Sequence, residues 1–105
     1  MLFVELTPFQ TFRADTWSDE EYRGLQNFLL KQPNAGDTMR GCGGLRKLRW
    51  STASQGKRGA ARVIYYWFDR KDVLVFLFGY LKNVQEDLTP AQLKKLTVLM
   101  KDFEP

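Results

Sequence analysis

Apolar residues alternate or run together in four short segments, and each of these patterns is typical of a β-strand. The first segment, residues 2–6, carries a single charge, so we expect a short strand in a central position of a sheet. Segment 45–51 has the alternation expected of a half-buried strand. Segment 61–68 is rich in the aromatic and β-branched residues that strands favour. The fourth, residues 73–81, is almost continuously apolar, which predicts a central strand covered on much of both faces.

Three further segments carry apolar residues at helical spacing. One short helix is predicted over residues 8–16. Ser18 and Glu21 have the spacing of a capping box, so a longer helix begins there and ends before Pro33. Thr89 opens the last helix with a second capping signature.

The order of these elements is one strand, two helices, three strands in a meander and a final helix. A chain of 105 residues suffices for one modest core, so we predict a single domain spanning residues 1–105. The predicted class is α+β: a small, twisted, mainly antiparallel sheet of about four strands, with the helices packed on one face. The other face would be partly open.

Positive charge is concentrated in the predicted hairpin at residues 43–68. This stretch contains no acidic residue and supplies the excess behind the net charge of +4, through six basic side chains: Arg46, Lys47, Arg49, Lys57, Arg58 and Arg62. A basic hairpin interleaved with aromatic residues suits a polyanionic partner. An ordinary solvated face of a sheet is the alternative interpretation.

The remaining composition narrows the class of protein. Cys42 is the only cysteine and histidine is absent, so a zinc site or a Cys–His pair is excluded and we expect no metal or cofactor. A lone thiol fits a reducing compartment, and we expect a cytoplasmic protein. With no run of about 18 apolar residues and no leader pattern, neither membrane spanning nor secretion is expected.

Strand alternation suggests where the polar side chains meet. Lys47 and Arg49 lie two residues apart and project to one face, as do Tyr80 and Lys82. Arg62 opens the middle strand. If these faces coincide, the five residues line one concave patch, whereas a register slip of one residue would scatter them.

Three strings of this sequence resemble the RelE/ParE superfamily of bacterial toxins, with the HigB-type branch most similar. They are GGLRKLR at 43–49, GKRG-x-x-RVIYY at 56–66 and Y-x-KN-x-x-x-DLT at 80–89. The resemblance implies a RelE-like fold and cleavage of messenger RNA on the translating ribosome. It also implies a cognate antitoxin, a HigA-like protein with a helix-turn-helix DNA-binding domain.

The resemblance also assigns roles to particular residues. The catalytic positions of the family fall on Lys47, Arg49, Arg62, Tyr80 and Lys82. Contacts to RNA or the ribosome are expected from Lys57, Arg58, Arg46 and Asn83, although Arg46 alternates away from Lys47 and also suits a structural salt bridge. Ala60 and Cys42 depart from the family pattern, since many relatives have a glycine and a small hydroxyl residue there.

Metal-free RNA cleavage requires a proton acceptor for the attacking 2′-hydroxyl and positive charge at the phosphorane. Arginines stay protonated and suit the second task, whereas a lysine among other cations can act as a base, so Lys47 or Lys82 is the candidate. Tyr80 would stack on a base or relay a proton. Glu86 and Asp87 are interpreted as the start of the last helix. A ParE-like inhibitor of DNA gyrase and a non-catalytic RNA- or ribosome-binding module are the alternatives.

Overall fold

The computed structural model describes residues 1–52 and 60–103. Its elements, in chain order, are β1 (Leu2–Glu5), α1 (Thr7–Thr16), α2 (Asp19–Lys31), β2 (Asp37–Thr38), β3 (Arg46–Trp50), β4 (Ala61–Phe68), β5 (Val73–Leu81) and α3 (Pro90–Lys101). The predicted α+β class is confirmed. Both predicted capping boxes are present, at Ser18 for α2 and at Thr89 for α3. Within the described ranges no helix is long and apolar enough to cross a membrane.

The strands form one five-stranded sheet in the order β1-β5-β4-β3-β2. β1 pairs with β5 in parallel, and the other pairs are antiparallel. The fifth strand is the two-residue β2, which the sequence pattern did not predict. β5 is central, as predicted, but the expectation that the first strand is central was wrong because β1 lies at an edge of the sheet. Its apolar side chains serve both faces: Phe3 stacks on Phe76 with ring centroids 5.7 Å apart on the face that α1 and α2 cover, and Val4 packs against the core on the face that α3 covers.

The helices cover both faces of the sheet, which corrects the prediction that they pack on one face. α1 and α2 bury Phe9, Trp17, Tyr22, Leu25 and Leu29 against one face, together with Leu48, Val63, Tyr65, Leu74 and Phe76. α3 packs Leu96 on the other face, against Ile64, Val75 and Leu77. β4 and β5 carry large apolar side chains on both faces, so water has to be excluded from both. We call these surfaces the α1/α2 face and the α3 face.

A β-bulge in β5 changes which residues share a face. Tyr65 pairs with Phe76, but the next residue back along β4, Ile64, pairs with Phe78, so Leu77 is an extra residue on β5. Leu77 and Phe78 therefore both lie on the α3 face. Beyond the bulge, side chains of β5 again alternate between the two faces, but shifted by one residue. Tyr80 therefore lies on the α3 face as well.

Gly79 follows the bulge and faces α1. A Cβ atom at this position would collide with the ring of Phe12, so only glycine lets α1 approach the sheet this closely. The contact fixes β5 against α1 immediately before Tyr80.

Candidate functional site

A row of polar side chains crosses three strands at one end of the α3 face. Arg49 of β3 pairs with Arg62 of β4, and Arg62 pairs in turn with Tyr80 of β5. Lys47 lies two residues from Arg49 on the same face, because Leu48 between them packs into the α1/α2 core. The structure thus brings together four of the five predicted catalytic residues.

Two arginines occupy directly opposite positions in this row. Like charges placed opposite each other in an antiparallel pair destabilise a sheet by about 0.2–1 kcal/mol. Neither Arg49 nor Arg62 forms an ion pair within residues 1–52 and 60–103, and the Nη1 atom of Arg62 is buried without a hydrogen-bond partner in those ranges. A buried donor left without a partner costs free energy, which an incoming anion would recover.

Asp87 joins the row from the loop before α3. Its Oδ1 atom accepts a hydrogen bond from the Tyr80 hydroxyl at 3.2 Å and one from the Lys47 ammonium at 3.5 Å. The Leu88 backbone N–H donates to the same oxygen at 2.8 Å. That N–H, the Lys47 charge and the Tyr80 hydroxyl hold the pKa of Asp87 below its usual 3.8, so the group is a carboxylate at neutral pH.

The sequence interpretation missed this role, because it assigned Asp87 only to the start of the last helix. The available signal was the position of an aspartate seven residues after Tyr80 and two before the Thr89 cap. That spacing allows a short loop to fold the carboxylate back over the end of β5, but only the structure shows that it does so.

Tyr80 is fixed as a hydrogen-bond donor. Its side chain is 4% exposed, and burial together with the charge of Asp87 raises the pKa of Tyr80 to about 12, against a smaller opposing effect of Arg62. The hydroxyl is therefore protonated at neutral pH. Its proton points to Asp87, and its oxygen lone pairs are available to accept a further bond.

An open cleft lies beside Lys47. Its volume is about 360 Å³. The lining residues come from β2 and the segment after it, from β3, from the loop before α3 and from α3 itself: Asp37, Thr38, Met39, Arg40, Cys42, Lys47, Asp87, Leu88 and Leu93. Lys47 and Asp87 line this cleft and also lie beside the row formed by Arg49, Arg62 and Tyr80, which we call the arginine row. A molecule bound at the arginine row can therefore extend into the cleft.

The remaining predicted site residues lie elsewhere. Lys82 is exposed just after β5, and its backbone N–H donates to the Ala60 carbonyl at 3.2 Å, so it stays at the Arg62 end of the sheet. Asn83 is an exposed turn residue. Lys57 and Arg58 fall outside the described residues, and their predicted contacts to RNA stay predictions.

Arg46 lies on the α1/α2 face, paired with Tyr65 and turned away from Lys47 as expected. Its Nη1 atom donates to the backbone carbonyls of Gly36 at 2.7 Å and Asn34 at 3.2 Å. The structural partners of Arg46 are thus carbonyls and not the carboxylate that was predicted. This position separates Arg46 from the arginine row, and its predicted contact to RNA stays a prediction. No group of three or more His, Cys, Asp or Glu side chains in the described part of the chain is placed to hold a metal ion.

Two comparisons relate the chain to known proteins. A family model described as "RelE toxin of RelE / RelB toxin-antitoxin system" matches residues 32–104, which include every residue of the row and Asp87. The fold is similar to that of the Escherichia coli toxin RelE, solved in the free state as a double arginine-to-alanine mutant. The TM-score is 0.59 at 13% sequence identity, and the match covers 94% of this chain and 95% of that one. At this identity the structural likeness establishes the fold.

Proposed function

The chain belongs to the RelE toxin family, the toxin component of a toxin–antitoxin system, and from this premise we propose that it is an endoribonuclease that cleaves messenger RNA. The observation that carries the proposal is the Arg49–Arg62–Tyr80 row, in which two opposed guanidinium groups lack a carboxylate partner among the described residues. A scissile phosphate placed on this row satisfies the free donors and neutralises the opposed charges.

The proposed reaction needs no group beyond the side chains of the chain and the RNA itself. The 2′-hydroxyl gives up its proton to a base and attacks the adjacent phosphorus, and the bond from phosphorus to the 5′-oxygen breaks. A proton from solvent on the departing 5′-oxygen gives the free 5′-hydroxyl, and the other product is a cyclic phosphate. Arg49 and Arg62 stabilise the phosphorane oxygens, on which charge increases in the transition state. Tyr80 stays protonated at neutral pH, and its hydroxyl oxygen can accept a hydrogen bond from the substrate.

The two lysines divide the remaining tasks. Lys47 donates to a carboxylate, an arrangement that suits a cation stabilising charge. Lys82 has no ion-pair partner within the described ranges and follows β5 at the Arg62 end of the sheet, so it is the candidate for the base that accepts the 2′-hydroxyl proton. Arginine keeps the positive charge but cannot accept a proton, so replacing the base by arginine should abolish cleavage, and replacing the other lysine by arginine should leave much of it in place.

We propose that cleavage depends on the ribosome. The described residues of the site supply donors for the phosphate, but the cleft beside them is open and encloses the bases little. A ribosome that holds the message in a reactive geometry supplies this positioning. Such a protein acts in the cytoplasm, where translation takes place.

We further propose that the chain is of the HigB type and that a HigA-like helix-turn-helix antitoxin inhibits it. The support is the combined GGLRKLR, GKRG and DLT strings of the sequence. Co-expression with the neighbouring gene should give a stable complex and restore growth. A purified complex that cleaves messages on ribosomes as fast as the free toxin does would contradict this model of inhibition.

The decisive experiment is inducible expression in a bacterium, with growth, protein synthesis and mapped message ends followed together. New ends should appear inside open reading frames and disappear from a reporter whose start codon has been removed. New ends that persist without a start codon would refute ribosome dependence. DNA breakage with intact messages would instead favour the gyrase alternative.

A further inference from the structure

We propose that Asp87 is a positioning residue, and that its negative charge holds the Lys47 ammonium and the Tyr80 hydroxyl in the places that RNA cleavage requires. The inference rests on the proposed function and assigns a role in it to a residue for which the resemblance gave none. One carboxylate oxygen collects three donors that come from three separate parts of the fold: β3, β5 and the backbone at Leu88.

The loop that carries Asp87 is fixed by its own side-chain hydrogen bonds. Gln85 donates from Nε2 to the Asp87 carbonyl at 2.9 Å and to Gln92 Oε1 at 2.8 Å. Gln92 in turn closes the capping box with Thr89, through bonds of 3.0 and 3.1 Å. The carboxylate is thus attached to the first turn of α3, and α3 packs on the same face as Tyr80. A group held in this way can define the position of its partners.

The geometry distinguishes positioning from occupation of the phosphate site. Within the described residues, Asp87 bonds to Lys47 and Tyr80 but not to Arg49 or Arg62. The two arginines are therefore left open for a phosphate, while the carboxylate accepts hydrogen bonds from Lys47 and Tyr80 beside them. A carboxylate that merely blocked the anion site would be expected on the guanidinium groups.

The test uses the full chain in four forms: wild type, Asp87→Asn, Asp87→Ala and Glu86→Gln. Asparagine keeps an oxygen that can accept the same bonds but removes the charge. Glu86 is the matched control, because it is exposed, adjacent and without a bond in the described ranges, and its substitution changes the net charge equally. Asp87→Ala serves as a second variant that removes both acceptor and charge.

Two measurements are needed. The first is single-turnover cleavage on ribosomes carrying a defined message. Asp87→Asn should lower the rate at saturating ribosomes by about tenfold to 10²-fold. The concentration for half-saturation should be unchanged or lower, because the patch becomes more positive. Glu86→Gln should match the wild type in rate.

The second measurement does not depend on cleavage. With ¹³C-labelled tyrosine, the resonance of Tyr80 is assigned among the four tyrosines by its loss in Tyr80→Phe, and its titration is followed by NMR. The charged groups nearest this hydroxyl are Asp87, Lys47 and Arg62. In Asp87→Asn the midpoint should fall towards the ordinary tyrosine value, and in Glu86→Gln it should not move.

Both changes together support the inference. An unmoved Tyr80 titration, a normal cleavage rate in folded Asp87→Asn, or faster cleavage in that variant would each overturn it. If the wild type itself does not cleave RNA, the proposed function fails, whereas the NMR titration still decides whether Asp87 holds Tyr80.

Discussion

Arg62→Ala should abolish toxicity by slowing the cleavage of messenger RNA, while leaving the protein folded. Arg62 is the central member of the row, with Arg49 on one side and Tyr80 on the other, and its Nη1 atom has no partner in the described part of the chain. Removing one donor that meets charge developing in a transition state typically lowers the rate by about 10²–10³, or about 2.7–4 kcal/mol.

The effect on stability should be much smaller. The flanking residues Ala61 and Val63 are fully buried and supply the packing of this part of β4. Truncating the half-buried stem of Arg62 loses on the order of 1 kcal/mol of apolar burial. Relief of the repulsion with Arg49 returns about 0.2–1 kcal/mol. The net loss should lie below about 1 kcal/mol, which for a domain of this size shifts the Tm by less than about 8 °C.

The assay compares single-turnover cleavage on ribosomes for the wild type, Arg62→Ala, Arg62→Lys and Arg70→Ala. Arg70 is exposed in the turn beyond the other end of β4, so its substitution removes the same charge away from the row. Arg70→Ala should cleave normally, and Arg62→Lys should be impaired because an ammonium lacks the planar fork. Melting curves and co-purification with the antitoxin establish that each variant is folded. A folded Arg62→Ala protein that cleaves at close to the wild-type rate would refute the placement of the active site.

Three further predictions concern stability. The pKa of Tyr80 is raised from 10.0 to about 12 by folding, so this group stabilises the fold below pH 10 and loses its contribution between pH 10 and 12; Tyr80→Phe should flatten that part of the stability profile in urea titrations. Tyr65→Phe should cost about 1–3 kcal/mol in denaturant unfolding, because its hydroxyl donates to the Pro33 carbonyl and accepts from the Gly36 N–H, both at 2.8 Å. An unchanged unfolding midpoint would show that water replaces both bonds. Gly79→Ala should lower the free energy of unfolding by a similar amount, about 1–3 kcal/mol, since the methyl group enters the space of the Phe12 ring in α1; an unchanged stability would mean that the ring moves aside freely.

Much of the fold could be predicted from local sequence, because periodicity and capping are local properties. The boundaries of α2 and α3 follow from the Ser18 and Thr89 capping boxes and from apolar residues at helical spacing. The run at 73–81 was correctly predicted to be central, since a strand with so few polar residues needs cover on both faces. The shortage of polar residues in this strand also argues for helices on both faces of the sheet, so the prediction that the helices pack on one face was inconsistent with it.

The position of β1 could not be read from its composition. An edge strand that contributes apolar side chains to the cores on both faces and a short central strand can have the same apolar content, and only the pairing with β5 distinguishes them. The residues of the row were likewise available in the sequence, because alternation places Lys47 and Arg49 on one face of their strand.

The assembly of the site was decided by the tertiary structure. With strict alternation along β5, Tyr80 would lie opposite Ala61 on the α1/α2 face, and Gly79 would lie opposite Arg62. The extra residue Leu77 shifts the register by one, and Tyr80 comes to lie beside Arg62. A bulge depends on how two strands and their covering helices pack, so it cannot be predicted from a local sequence pattern. Asp87 depends on the same packing, because a loop brings its carboxylate to Lys47, forty residues away in the sequence. The sequence by itself determined which elements form and which residues carry the charge, while the strand register and the loop before α3 decided which of them meet.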